Sequence, residues 1–342
     1  MKSFNKFLLM SAALLSMSLT SCGGNGPSKD PNEVSVFLLS GQSNMEGNSK
    51  FAELGNAFTE LGLDDYEEVS QGFDTVKISN YSCGYGELNK DNLTNNSNVK
   101  ATNTTNQIAG KFENMKPGYG TNAQSMGPEF GAAYVLRKEA TSERPIYFVK
   151  MASNGSGFAQ SGTQYNWPVK DADGNFPEVN LYNTFAKPFL ENNLKILEDQ
   201  GLKPVIKGWL WHQGESDSAT EKIAVYGQRL GDMVAQFRED FADYARDGDG
   251  ENIAFIDGMI YQGEGTSWGA ETSVAMNNAK KAFANSADNN YLVDNYANEE
   301  KTAENELKPG SPGGDSMHYN IKSCMRLGMA YGRVILDNDL LD

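Results

Sequence analysis

The run Val34-Ser35-Val36-Phe37-Leu38-Leu39-Ser40 passes directly into Gly41-Gln42-Ser43-Asn44-Met45-Glu46-Gly47, so an apolar, β-branched stretch ends at a glycine-flanked serine. A short run that is apolar at consecutive positions reads as a strand buried on both faces. Working outward, residues 145–151 (PIYFVKM), 205–212 (VIKGWLWH) and 253–260 (IAFIDGMI) have the same character, and 291–294 is a candidate fifth strand. Residues 128–140, 185–200, 221–241, 270–284 and 321–336 instead carry apolar side chains at spacings of three and four, the period of helices packed on one side. Near-continuous hydrophobic strands alternating with such helices predict an α/β domain: a three-layer α/β/α sandwich around a central, mainly parallel sheet.

Composition agrees with a globular chain. Of 342 residues, 39% are hydrophobic, with 17 Phe and 15 Tyr, enough to fill a sizeable core. The 45 Asp and Glu outnumber the 29 Lys and Arg, for a net charge of −16, and a surface that acidic argues against nucleic acid as a partner. No internal repeat recurs at a fixed period.

The first 21 residues read as an export signal. Lys2 and Lys6 form a basic head, residues 7–19 are mostly apolar, and Leu19-Thr20-Ser21 precedes Cys22. The apolar run falls short of the roughly 20 residues that span a bilayer. Leucine three places before the cysteine, a small residue just before it and Gly23-Gly24 after it resemble a bacterial lipobox, whose cysteine becomes an acylated N-terminus. On this reading residues 22–33 are a tether from a membrane anchor at Cys22 to a single domain over 34–342, exported to the periplasm or cell surface. Lipidation would leave Cys83 and Cys324; two cysteines far apart in sequence define no disulfide, and Cys324 reads as a buried thiol. No CxxC pair suggests zinc, and neither a metal nor another cofactor is expected.

One stretch departs from the alternation. Residues 51–125 contain an Asn/Thr-rich patch at 89–106 and read as an insertion, because a structureless loop of that length is unusual in a compact domain. Asp64, Asp65, Glu67 and Glu68 within it lack the interleaved spacing of a calcium loop and read as a solvated acidic turn.

The chemistry concentrates at strand ends. Ser43 lies just beyond the carboxyl end of the first strand, where parallel sheets place ligands, although a serine there can simply begin a helix. A serine nucleophile needs a base, and the chain has only His212 and His318 to supply a histidine. His318 closes Asp315-Ser316-Met317-His318 just before the last helix, and Asp315 is close enough in sequence to hold one imidazole nitrogen, giving a Ser43, Asp315, His318 triad. His212 opens His212-Gln213-Gly214-Glu215-Ser216-Asp217 after a strand; Gln213 offers an amide donor and Glu215 a carboxylate that can orient a histidine or begin a helix.

The three motifs SGQSNMEG, HQGESD and DSMH, in that order, resemble the GQSN branch of the SGNH hydrolases, and within it the sialate O-acetylesterase and acetylxylan esterase group, carbohydrate esterase family six. The resemblance spans about residues 34–332 and includes Gly127-Pro128-Glu129, which matches the group's second-helix start; where the group often has two glycines, this chain has Asn154-Gly155. It implies an SGNH, flavodoxin-like fold and removal of acetyl groups from sugars of the sialic acid or xylan type. It further implies Ser43 as nucleophile, His318 as base and Asp315 as its orienting acid, with Glu215 as competitor or partner. The implied oxyanion hole is the Ser43 and Gly155 N–H groups plus the Gln213 side chain. Gln42, Asn44, Asn154, His212 and Trp167 are the expected substrate-binding residues, with Trp268 also placed to line the site. The alternative is a lipid-anchored glycan-binding protein on an inactive hydrolase fold, but a binding module has no use for serine, histidine and acid together. A lipase or thioesterase would want a broad apolar pocket, of which the sequence gives no sign.

Overall fold

Strand β1 (Glu33–Gly41) is apolar at successive positions because it has a core on each side: Val34, Val36 and Leu38 enter one hydrophobic cluster, while Phe37 and Leu39 enter the other. The computed structural model describes residues 30–83, 110–158, 165–263, 268–294 and 317–342. After β1 come α1 (Ser43–Glu46), β2 (Ser49–Lys50), α2 (Leu54–Glu60), α3 (Tyr66–Val69), β3 (Phe73–Cys83), β4 (Glu113–Met115) and β5 (Ser125–Met126). Then follow α4 (Glu129–Leu136), β6 (Ile146–Ser153), α5 (Lys187–Asp199), β7 (Lys203–His212), α6 (Thr220–Asp240), β8 (Ala254–Gly258), α7 (Ala270–Ala284), β9 (Asn290–Val293) and α8 (Ile321–Asp337).

The central sheet has the order β4-β3-β6-β1-β7-β8-β9, and every pairing is parallel except that of the edge strand β4. Helices α2, α4 and α8 cover one face through Phe58, Phe130 and Met325; α5, α6 and α7 cover the other through Leu190, Met233 and Met276. This is the expected three-layer α/β/α sandwich. From β1 the chain builds first toward β3 and β6 and later toward β7, β8 and β9, so the order reverses beside β1. In open α/β sheets the crevice at the carboxyl ends of the strands flanking such a reversal is where ligands bind.

The segment read as an insertion is partly integral to the sheet. β3 pairs with β6 from Val76 to Cys83, and β4 extends the edge, while β5 forms a small ribbon with β2. The leader, Cys22 and Asp315 lie outside the described residues, as does the side chain of Cys83.

Cys324, on α8, is a buried free thiol, as its sequence context suggests. Burial pushes its pKa up to about 12, so the reactive thiolate is scarce at neutral pH. We expect iodoacetamide at pH 8 to leave Cys324 unmodified in the folded protein and to alkylate it in urea; peptide mass mapping that finds Cys324 modified in the folded protein would contradict this packing.

Candidate active site

The turn that presents Ser43 requires glycine on both sides. Gly41 has φ +147°, and a Cβ on it would lie 2.0 Å from the His212 carbonyl oxygen; Gly47 has φ +102°, and a Cβ there would meet the Gly127 nitrogen at 2.2 Å. Only glycine tolerates these approaches. Between them Gln42 is extended and Ser43 begins the one-turn helix α1.

Beneath α1 sits a buried ion pair. Lys150 on β6 and Glu129 at the start of α4 are both fully buried, 2.7 Å apart. The Lys150 ammonium also donates to the carbonyls of Glu46 (2.9 Å) and Tyr119 (2.7 Å), and the second Glu129 oxygen accepts from the Gly127 N–H at 2.9 Å. All three ammonium protons are used, so the Gly-Pro-Glu motif holds the end of α1 against the sheet.

At the carboxyl ends of β1, β6 and β7 lies a pocket of about 440 Å³, within the size range of small-ligand sites. Gln42, Ser43, Asn154, Gly155, Glu215, Ser216, Trp268, Met317 and His318 line it. Loops far apart in the chain thus bring together Ser43, His318, Gly155 and Glu215. Gly155 has a positive φ of 67°, and neither its N–H nor that of Ser43 donates to the described protein.

Four of the expected pocket residues instead serve behind its wall. Asn44 is nearly buried: its Nδ2 donates to Glu215 Oε1 (2.7 Å) and the Met317 carbonyl (3.2 Å), while its Oδ1 accepts from the Tyr319 N–H (3.1 Å). These backbone partners flank His318, so Asn44 fixes the histidine loop rather than a ligand. His212 is fully buried, with Nε2 3.1 Å from the Tyr319 hydroxyl and 3.6 Å from Glu215 Oε1. Trp167 packs edge-on against Trp211 and donates to Ser156 Oγ at 3.0 Å, supporting the Gly155 loop from inside the core. Gln213 is fully buried, and its Nε2 donates to Asp217 Oδ2 (2.8 Å) and Gln42 Oε1 (3.2 Å), which commits both of its protons away from the pocket. The side-chain oxyanion role implied for Gln213 is therefore not met.

Two supporting residues were not singled out in the sequence. Asn48 Nδ2 donates to the Ser43 carbonyl (3.0 Å) and Asn154 Oδ1 (3.1 Å), tying the serine turn to the Gly155 loop. Asp217 Oδ2 accepts from the Phe158 N–H at 2.8 Å as well as from Gln213, joining the loops after β6 and β7. Their polar identity inside motif-bearing loops was the available signal. Glu215 is governed by competing effects: burial would raise its pKa, but the nearby His212 imidazole and the hydrogen bond from Asn44 outweigh it and hold the carboxyl below its ordinary value.

A seven-stranded α/β/α sheet with such a pocket at its switch point defines an open, doubly wound α/β class whose ligand crevice lies at the carboxyl ends of the strands. The chain belongs to the carbohydrate esterase, sialic acid-specific acetylesterase family, whose model matches residues 33–337. Two solved structures have a similar fold. A protein from Arabidopsis thaliana is 17% identical, with 90% of this chain and 99% of that one covered and a TM-score of 0.53. NanS is 14% identical, with 90% and 98% covered and a TM-score of 0.55. None of the curated proteins searched matches this chain. Family membership places the chain among the carbohydrate acetylesterases.

Proposed function

We propose that this protein removes O-acetyl groups from sugars of the sialic acid or xylan type through a serine acyl-enzyme. The observation that carries the reading is the convergence of Ser43, Gly155 and His318 on one pocket in a chain of this family. His318 takes the Ser43 proton as Oγ adds to the acetyl carbonyl, and the N–H groups of Ser43 and Gly155 hold the oxyanion. The tetrahedral adduct collapses as His318 protonates the departing sugar hydroxyl; water activated by the same histidine then releases acetate and restores Ser43. Asp315 orients His318 from a segment outside the described residues. Glu215, engaged by Asn44 and facing His212, supports the pocket wall. Trp268 and the half-exposed Met317 give the pocket an apolar rim against which a sugar ring can stack.

The test is acetate release by the mature chain from O-acetylated sialic acid and acetylated xylan, with p-nitrophenyl acetate as a reference ester. Turnover of neither carbohydrate, by protein that cleaves the reference ester, would defeat the substrate assignment.

We also propose export and lipid anchoring through Cys22, on the lipobox-like residues that precede it. Wild type expressed in a bacterium that processes such signals should partition with membranes, and Cys22→Ser should lose the lipid. A mature N-terminus elsewhere, with no acyl mass on Cys22, would refute the anchor.

A further inference from the structure

Asn154 stands where the group that this chain resembles often has glycine, so its side chain is a feature of this chain rather than of the group. It follows β6, is half-buried and lines the pocket beside Gly155. A backbone group sets the direction of its amide. The Ser43 carbonyl oxygen can only accept, so the Asn48 atom that reaches it at 3.0 Å is Nδ2; that same Nδ2 lies 3.1 Å from the Asn154 side chain, whose facing atom must be the acceptor Oδ1. Thr121 holds Asn48 in turn, its hydroxyl donating to Asn48 Oδ1 at 3.2 Å. The Nδ2 of Asn154 is left on the opposite side of the amide; it donates to nothing in the described protein and is not sealed in the core.

We infer that Asn154 is a specificity-determining residue whose Nδ2 donates to an uncharged oxygen of the sugar, outside the ester that is cleaved. The inference rests on the acetylesterase reading above. An acetyl ester offers two oxygens, and that reading uses both: the Ser43 and Gly155 N–H groups hold the carbonyl oxygen, and His318 protonates the bridging oxygen as the sugar departs. The acetyl methyl accepts nothing. A further donor in the same pocket therefore finds its acceptor only on the alcohol portion of the substrate. The lining indicates that this acceptor is neutral: among the described lining residues there is no Lys or Arg, and Glu215 adds a carboxylate, so a sugar carboxylate would enter without a cation to pair with. A hydroxyl oxygen suits an amide N–H, and sugars carry hydroxyls on the carbons next to an acetylated one. Such a contact is as strong in the bound substrate as in the transition state, so its loss falls on KM rather than kcat.

The experiment measures kcat and KM for wild type, Asn154→Ala, Asn154→Gly and Ser43→Ala on O-acetylated sialic acid, acetylated xylan and p-nitrophenyl acetate, with folding checked by circular dichroism. On whichever carbohydrate wild type cleaves, Asn154→Ala should raise KM about three- to tenfold at steady kcat, the scale of one lost hydrogen bond between uncharged groups. On p-nitrophenyl acetate, whose alcohol portion has no hydroxyl, both constants should stay within about twofold of wild type. If Asn154→Ala does not fold, Asn154→Gly carries the same expectation. The penalty should also be equal on O-acetylated sialic acid and on its carboxylate methyl ester if that sugar is cleaved; a penalty confined to the free acid would overturn the neutral acceptor. An unchanged KM for the carbohydrate overturns the assignment. So does an equal loss on p-nitrophenyl acetate, which would mean that Asn154 merely shapes the Gly155 loop. Wild type that cleaves p-nitrophenyl acetate but neither carbohydrate would instead overturn the substrate reading and this assignment with it, and an active Ser43→Ala would overturn the serine reading, so the failures are distinguishable.

Discussion

Ser43→Ala should abolish acetate release, with kcat falling by at least about 10⁴-fold, and His318→Ala should match it because nucleophile and base act as a unit. Both variants should fold, since Ser43 Oγ makes no hydrogen bond to the described protein, and the His318 loop is held through its neighbours by Asn44. His212→Ala should retain more turnover than either, because His212 lies outside the pocket lining. Between the acids, Asp315→Asn should be severe and Glu215→Gln milder, since a glutamine oxygen can still accept from Asn44. Steady-state kinetics on a small acetyl ester decides the matter. An inactive His212→Ala beside an active His318→Ala would reverse the histidine assignment.

Lys150→Met should destabilise the fold by about 3–5 kcal/mol, the cost of leaving a buried carboxylate without its cation. The Glu129 carboxylate would keep the Gly127 N–H at 2.9 Å, while the carbonyls of Glu46 and Tyr119 would each lose a buried donor. The double variant Lys150→Met with Glu129→Leu should recover part of the loss by removing the stranded charge. Urea unfolding of the three proteins measures this. A Lys150→Met protein as stable as wild type would show that the pair contributes nothing, and a double variant worse than the single one would show that the carbonyl contacts outweigh the charge.

The layers were legible because burial on both faces writes itself as uninterrupted apolar sequence. β1, β6, β7, β8 and β9 all carry that signature, and 270–284 coincides with α7. β3 did not carry it: among the described side chains of FDTVKISNYSC only Val76, Ile78 and Tyr81 are buried apolar residues, and Ser79 and Asn80 are buried polar ones. An alternating strand of this kind, followed by the Asn/Thr-rich patch, looks like a loop. In the site, motif membership located the loops but not the directions of side chains. Gln42 and Gln213 are alike in type and both sit in motifs at strand ends, yet hydrogen bonds between residues 171 apart turn one toward the pocket and the other inward. Spacing along the chain carries no information about such pairings. Likewise Trp167 and Trp268 were indistinguishable as loop tryptophans until packing against Trp211 assigned the first to the core.

The Asn44 clamp on the backbone around His318 joins residues 273 and 275 positions apart. During synthesis the serine turn emerges early and has nothing to close on until Met317 and Tyr319 follow it. A nascent or truncated chain ending before Met317 would carry the nucleophile without a base. Completion of the site thus waits on residues made long after the serine turn, and contacts of this sequence separation form late because closing so large a loop costs entropy before it is repaid.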